Sequence, residues 1–201
     1  SLKRFKKSGG RMISFGIETS SEEGLRVLRK GSKLKQNIEA LKLCKKYGIV
    51  TIADFILGLP HEKSYDDVLQ GIKTLTYDYN PDYAQFSILS LYPNTEVYDQ
   101  AVAKGLIKDG KWNKWAMDPL NTKLKVDHWL EHVSLEQLVE LQKKAYRIFY
   151  LRPSAIWRQL KQIKSLYEIK VKIKGALSVL DLHFGAPKSK PLKPDFQVPI
   201  K

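Results

Sequence analysis

Val50–Glu62 reads VTIADFILGLPHE, and this stretch decides how the rest of the chain is interpreted. Its first seven or so residues are rich in β-branched and aromatic side chains, which predicts a strand. A turn follows at Gly58-Leu59-Pro60, and Ser64 with Asp66 and Asp67 predicts the capped, acidic start of a helix. Turns of this kind bind ligands in α/β sheets and barrels, although an ordinary connection with a helix-starting proline is the alternative.

Similar strand-then-helix units flank this stretch on both sides. The other predicted strands are Arg11–Glu18 and Tyr83–Leu91. The predicted helices are Leu2–Ser8, a segment that begins near Thr19-Ser20-Ser21, Leu34–Tyr47, Ser64–Tyr79 and Glu96–Lys104. Three β/α units in sequence predict a parallel sheet with helices on the outside.

The chain is expected to divide into four segments: residues 1–108 hold the β/α units, 109–133 form a loop, 134–184 form a basic helical extension and 185–201 form an extended tail. Ser134–Arg152 is a predicted helix with a capping box, and Pro153 is expected to break or restart it before Ser154–Leu166. Leu166–Lys174 alternates apolar residues with lysines, which fits a strand or a basic surface helix.

Composition narrows the function classes. The chain has 201 residues and 43% hydrophobic content, typical of a globular protein, and no apolar run reaches the roughly 20 residues of a membrane span. One cysteine, Cys44, excludes a disulfide framework and a self-contained cysteine metal site, so the cytoplasm is the expected compartment.

The net charge of +14 is concentrated at the C-terminal end. Residues 143–201 contain 14 Lys or Arg against three acids and therefore carry +11 of the total. Such a region could contact RNA, an anionic membrane (with the protein peripheral to it) or an acidic partner, or it could be a solvated surface.

Side chains alternate along the three predicted strands, so each strand has two distinct faces. The apolar face carries Ile13, Phe15, Ile17, Phe55, Leu57, Leu59, Phe86 and Ile88. The opposite face carries Ser14, Gly16, Glu18, Asp54, Ile56, Gly58, Gln85, Ser87 and Leu89. Small and polar residues inside a parallel arrangement predict a lumen that holds a polar ligand. Glu18, at the C-terminal end of its strand, is either part of that site or a cap for the next helix.

Four runs in order resemble the radical S-adenosylmethionine (SAM) core and its C-terminal extension. They are MISFGIETSSEEGLRVLRKG, GIVTIADFILGLPHE, PDYAQFSILSLYPNTEVYDQA and AYRIFYLRPSAIWRQL. They are most similar to the branch that often carries a cobalamin-binding domain and includes the anaerobic magnesium-protoporphyrin monomethyl ester cyclases. The resemblance covers about residues 2–180. It implies an α/β fold, the C-terminal half of a partial (β/α)6 TIM-like barrel followed by a helical extension.

The resemblance also implies cofactors and site residues. SAM would lie in the barrel on a 4Fe-4S cluster held by a CxxxCxxC loop, and its reductive cleavage would give a deoxyadenosyl radical that abstracts hydrogen from a small-molecule substrate. Glu18 would hydrogen-bond SAM, Lys30 would face its carboxylate, and Gly58 and Pro60 would bring backbone close to the adenine. Gln85, Ser87, Tyr92 and Pro93 would line the last part of the lumen, and the strand alternation adds Ser14, Gly16 and Asp54 as candidate cofactor-binding residues.

The departures from the family pattern decide what this chain can do alone. It has no CxxxCxxC loop, so we expect a missing N-terminal half to carry the cluster. Cobalamin could be bound by a further domain. We expect no activity from this chain by itself. The family usually has Ser-Gly at the position of Thr19-Ser20, and it usually has Gly at the positions of His61 and Asn94. The chain is then a piece of a split, truncated or cropped gene, or a degenerate paralogue that binds without catalysing.

Two other functions stay open at this point. The chain could be a non-catalytic binding module whose basic C-terminal region contacts RNA or an anionic membrane. A metal-free α/β enzyme that uses Asp54 or Glu18 as its acid or base is the third option. The sequence does not identify a substrate.

Overall fold

The structure, a computed structural model, describes residues 1–117 and 125–161. Its strands are β1 Met12–Glu18, β2 Val50–Leu57, β3 Tyr83–Ile88, β4 Ser90–Leu91 and β5 Asp127–His128. Its helices are α1 Leu2–Lys7, α2 Glu22–Val27, α3 Leu34–Lys46, α4 Tyr65–Thr74 with a π-helical turn Leu75–Tyr79, α5 Glu96–Ala103, α6 Lys111–Met117, α7 Leu135–Tyr150 and α8 Pro153–Lys161.

β1, β2 and β3 form one parallel sheet in that order, so the predicted α/β class and parallel arrangement are confirmed. Helices α2 and α3 connect β1 to β2, and α4 with its π-helical turn connects β2 to β3. Gly16 lies opposite Asp54, and Asp54 lies opposite Gln85, so these three residues form one row across the sheet.

The apolar face of the sheet is the core side, as the alternation predicted. Phe55 and Phe86 are fully buried and meet edge to face with ring centroids 6.1 Å apart. Phe149 of α7 adds a third ring 6.2 Å from Phe86. Such aromatic pairs contribute about 0.5–1.5 kcal/mol beyond the burial of their area. Val68 and Ile72 of α4 complete the same cluster, so α4 and α7 cover this face together.

Helix α7 also closes the outer edge of β3. The Tyr150 hydroxyl accepts from Ala84 N at 3.1 Å and donates to Ala84 O at 2.9 Å. One turn earlier, Tyr146 Oη accepts from Phe86 N at 3.3 Å, and Gln142 Nε2 donates to Phe86 O at 2.8 Å. These side chains satisfy backbone groups that an edge strand would otherwise leave unpaired.

The junction between α7 and α8 is anchored at the N-terminal end of the sheet. Pro153 begins α8, so the predicted restart at this proline is confirmed. Arg152 is buried and donates to Asn80 Oδ1 at 2.9 Å, while Arg158 donates to Asp82 Oδ1 at 3.0 Å. Desolvation lowers the pKa of Arg152 to about 10, and the neighbouring Arg158 acts in the same direction.

Two segments differ from the sequence expectations. The third strand ends at Ile88, and the next two residues, β4, pair antiparallel with β5. Residues 109–133 were predicted as a loop, but they contain helix α6 and strand β5. The physical reason is that Trp112 and Trp129 pack in a second apolar cluster around Leu59. The Leu166–Lys174 alternation and the tail 185–201 lie outside the described residues. None of the helices within 1–117 and 125–161 is long and apolar enough to cross a membrane.

Candidate functional site

The open face of the sheet, opposite the α4–α7 side, carries the polar residues that the alternation predicted. Asp54 is central in this face, and Ser14 Oγ donates to its Oδ2 at 3.0 Å. Gln85 and Ser87 of β3 are both exposed. Half-buried Ile52 and Ile56 flank Asp54 along β2. The structure therefore brings Ser14, Asp54 and Gln85 onto one polar face.

Glu18 ends β1 in an irregular conformation. Its φ is +63°, a left-handed value that costs a non-glycine residue about 1–2 kcal/mol. The pairing register with β2 shifts between Gly16 and Glu18, and Thr19 N donates to Ile17 O at 2.7 Å across this tight turn. Bulges of this kind re-aim a side chain next to a site, and strained residues gather at functional sites.

Glu18 and Lys30 form an ion pair at the C-terminal end of β1. Lys30 Nζ lies 2.8 Å from Glu18 Oε1 and 3.4 Å from Gly16 O. A Cβ at Gly16 would lie 2.4 Å from Glu18 Oε1 and 3.0 Å from Lys30 Nζ, so a side chain at this position would displace the ends of the pair. Lys30, the residue twelve positions after Glu18 that was predicted to face the SAM carboxylate, thus lies beside Glu18. The pair is partly exposed, so its charges can exchange partners at small cost.

The Gly58-Leu59-Pro60 turn has a buried carboxylate beneath it. Glu62 Oε2 accepts from Gly58 N and from Leu59 N, each at 2.7 Å. Burial raises the pKa of Glu62 to about 7, and these two backbone hydrogen bonds act against that rise. This role of Glu62 was not predicted from the sequence, although an acid four residues after the turn glycine is the signal that could have indicated it.

Gly58 itself is explained by packing and backbone conformation. Its φ is +78°, and a Cβ there would lie 2.8 Å from Leu138 Cδ1 of α7. Pro60 is half-buried beside it. The predicted role of Gly58 and Pro60 next to an adenine stays a prediction.

Tyr92 and Pro93 lie beside α5 and α6. Tyr92 is half exposed, and its ring centroid lies 5.3 Å from that of Trp112. Pro93 lines an open cavity of about 630 Å³ between the two helices, where the Tyr98 hydroxyl donates to Asp109 Oδ1 at 2.9 Å. The structure therefore places Pro93 in the wall of this cavity and Tyr92 against Trp112, and the lumen role of both residues stays a prediction.

The donor set on the open face fits SAM. An ammonium and a carboxylate 2.8 Å apart match the carboxylate and ammonium of an amino-acid zwitterion, and the adjoining hydroxyl, amide and carboxylate groups suit ribose hydroxyls. An iron–sulfur cluster does not fit these residues, because Cys44 is the one cysteine of the sequence and is buried on α3. Within the described residues no group of three His, Cys, Asp or Glu side chains could hold a metal ion.

Comparisons with known proteins show which proteins this chain is similar to. Residues 1–75 match the family model of the radical SAM superfamily. An uncharacterized methyltransferase of Pyrococcus horikoshii is 36% identical over 183 residues, which cover 88% of this chain and 37% of the relative. The anaerobic magnesium-protoporphyrin IX monomethyl ester cyclase of Rubrivivax gelatinosus is 31% identical over 99 residues, 49% of this chain and 18% of that enzyme.

A solved structure shares the fold. The archaeal Elp3 of Methanocaldococcus infernus with an N-terminal deletion superposes with a TM-score of 0.53 at 19% identity, covering 73% of this chain and 29% of that one. The resemblance to the radical SAM superfamily that the motifs of this chain indicated is confirmed by the family model and by these relatives. It spans little more than a third of the length of the Pyrococcus relative.

Proposed function

We propose that this chain supplies the SAM-binding wall of a radical SAM enzyme, together with a segment that carries the cluster-binding cysteines. The observation that carries the proposal is the Glu18–Lys30 pair beside Gly16, at the C-terminal end of a parallel strand. Ligands of parallel α/β folds bind at this end of the strands. SAM, when bound to a reduced cluster, supplies a radical that abstracts hydrogen from a substrate.

In this proposal the residues of the chain bind and orient the cofactor. Lys30 would donate hydrogen bonds to the SAM carboxylate in place of Glu18, and Glu18 would accept hydrogen bonds from the ammonium or the ribose. Asp54 and Gln85 would contact the remainder of the ligand from the middle row of the sheet. The strained turn at Glu18 keeps its carboxylate at the rim, so little ordering is needed when SAM arrives.

The cluster would come from outside these residues. β1 lies at one edge of the three-stranded sheet, whereas α7 closes the other edge at β3. An edge strand offers a row of backbone groups to a further strand. The edge of β1 is therefore the expected junction with a cluster-bearing segment. A cobalamin-binding domain and a cytoplasmic location belong to the same proposal by family likeness, and the substrate is left open.

Binding of radiolabelled SAM tests the proposal. The chain would be co-expressed with a radical SAM segment that contains a CxxxCxxC loop, and SAM retention would be measured by equilibrium dialysis under anaerobic conditions. Glu18→Gln and Lys30→Met should each weaken binding about 10-fold or more, as expected for loss of a charged hydrogen bond. Lys104→Met is the matched control, because it removes a comparable, partly exposed ion pair with Glu131. Equal effects of all three substitutions would refute the assignment.

The alternative function is a binding module that uses the basic C-terminal region. Fewer observations on the described residues support it. Arg152 and Arg158 hold the Asn80–Asp82 turn, and Lys144 lies 5.3 Å from the centre of the Tyr65 ring. These three cations are engaged within the fold. Most of the remaining charge lies beyond residue 161, so RNA or membrane binding there stays a prediction.

A further inference from the structure

The N-terminal end of the sheet, opposite the Glu18–Lys30 pair, carries a concentration of positive charge. The charge comes from Lys and Arg side chains of α1, of the turn after it and of the last turns of α3. We call these side chains the basic end surface: Lys3, Arg4, Lys6, Lys7, Arg11, Lys42, Lys45 and Lys46. All eight side chains are exposed. Residues 1–17 and 40–53 contain no acid at all, although residues 1–142 together carry only +3.

Two contacts make these segments one surface. Lys6 Nζ donates to Gly48 O at 2.7 Å, and Val50 N donates to Arg11 O at 2.9 Å. The end of α1 and the turn that follows α3 therefore lie next to each other.

The charges of the basic end surface are not neutralised from within. In the part of the chain that the structure describes, none of its eight side chains forms an ion pair with a carboxylate. Asp82, at the same end of the sheet, is already paired with Arg158. Glu39 is the one acid in α3, and it lies about a turn before Lys42. Eight exposed cations on segments that contain one acid, Glu39, form a positively charged surface that suits an anionic partner.

Large apolar side chains are exposed among these cations. Leu43 and Tyr47 lie one turn apart on the solvent side of α3 and are 47% and 37% exposed. Phe5 of α1 is 36% exposed. Leu41 and Cys44 already provide the buried stripe of α3, so Leu43 and Tyr47 form a second apolar stripe that the fold does not use.

We propose that the basic end surface docks on an anionic lipid bilayer. Lysines around exposed apolar side chains are the composition of interfacial membrane-binding surfaces: the ammonium groups contact lipid phosphates while the apolar groups enter the headgroup boundary. RNA is the competing polyanion: its bases could stack on Phe5 and Tyr47 but gain little from aliphatic Leu43, so Leu43 distinguishes the two partners. The proposal is independent of SAM binding, because the surface lies at the other end of the strands from Glu18.

Vesicle co-sedimentation of the full chain tests the proposal, with phosphatidylcholine vesicles that contain or lack phosphatidylserine. The test variant replaces three cations whose side chains make no hydrogen bond within residues 1–117 and 125–161, as Lys7→Gln, Lys42→Gln and Lys46→Gln. Each basic residue near an anionic surface strengthens binding about five-fold, so the variant should bind about 100-fold more weakly. Raising the salt concentration should also weaken binding of the wild type.

Two further variants separate the alternatives. The matched control removes the same charge from the C-terminal region, with Lys170→Gln, Lys172→Gln and Lys174→Gln. A single substitution, Leu43→Ser, keeps the charge and removes one apolar group, and it should weaken vesicle binding without affecting the binding of a single-stranded RNA oligomer. Circular dichroism confirms that each variant is folded.

Four outcomes would overturn the proposal. The first is that the wild type does not bind anionic vesicles at low ionic strength. The second is that the C-terminal control loses as much binding as the test variant. The third is equal binding to neutral and anionic vesicles. The fourth is unchanged vesicle binding by Leu43→Ser together with tight RNA binding, which would make the surface a nucleic-acid site.

Discussion

Replacement of Glu62 offers a quantitative test of how the turn after β2 is held. Its carboxylate is 6% exposed and accepts two backbone hydrogen bonds, from Gly58 N and Leu59 N. Burial raises its pKa from 4.5 to about 7. The protonated form is therefore favoured in the folded state, so its contribution to stability is complete below about pH 4.5 and is lost as the pH rises through 7. A shift of this size corresponds to roughly 3 kcal/mol.

Glu62→Gln keeps an oxygen that can accept from the turn but removes the titration. At pH 5 the wild type and Glu62→Gln should unfold at similar denaturant concentrations, whereas at pH 8 the variant should be the more stable of the two, by up to roughly 3 kcal/mol. Glu62→Ala leaves both amides buried without an acceptor, each at a cost of about 1–3 kcal/mol, and should be less stable than Glu62→Gln at both pH values. The measurement is urea unfolding followed by circular dichroism from pH 5 to pH 8. Parallel pH profiles for the wild type and Glu62→Gln would refute the reasoning.

Two further substitutions test the packing of α7 against the sheet. Gly58→Ala places a methyl group 2.8 Å from Leu138 Cδ1 at a φ of +78°, so we expect a loss of about 2–4 kcal/mol in thermal or chemical unfolding. Gly105→Ala is its control, since φ is +71° but nothing lies within 4 Å, and a loss as large as that of Gly58→Ala would contradict the steric part of the account. Tyr150→Phe removes the hydroxyl that bridges Ala84 N and Ala84 O and should cost about 1–3 kcal/mol in the same measurement; an unchanged stability would show that water replaces it.

The sheet and its two faces could be read from the sequence because they depend on local patterns. Alternation in β2 places Phe55 and Leu57 on one side and Asp54 on the other, and the period-two geometry of a strand leaves no other arrangement. The capping box at Ser134 likewise fixed the start of α7. These signals involve neighbours in sequence, so no knowledge of the tertiary structure is needed.

Features that depend on distant residues could not be read in this way. The helix α6 and the β4–β5 pair follow from the burial of Trp112 and Trp129 in the second cluster, which a period search cannot detect. The hydroxyl of Tyr150 meets Ala84 only after α7 has packed, across 66 residues of sequence. Similarly, the position of Lys30 beside Glu18 was expected from family likeness, whereas its 2.8 Å contact depends on the turn after α2.

The most direct test of the central claim is an NMR titration of the ¹⁵N-labelled chain, bound to an unlabelled segment that carries the CxxxCxxC loop, with SAM. We predict amide shift changes centred on Gly16, Glu18 and Lys30, extending along the middle row to Asp54 and Gln85. Glu18→Gln should reduce these changes at equal SAM concentration. Changes confined to the cavity between α5 and α6, or changes that persist undiminished in Glu18→Gln, would contradict the assignment of the open sheet face as the SAM site.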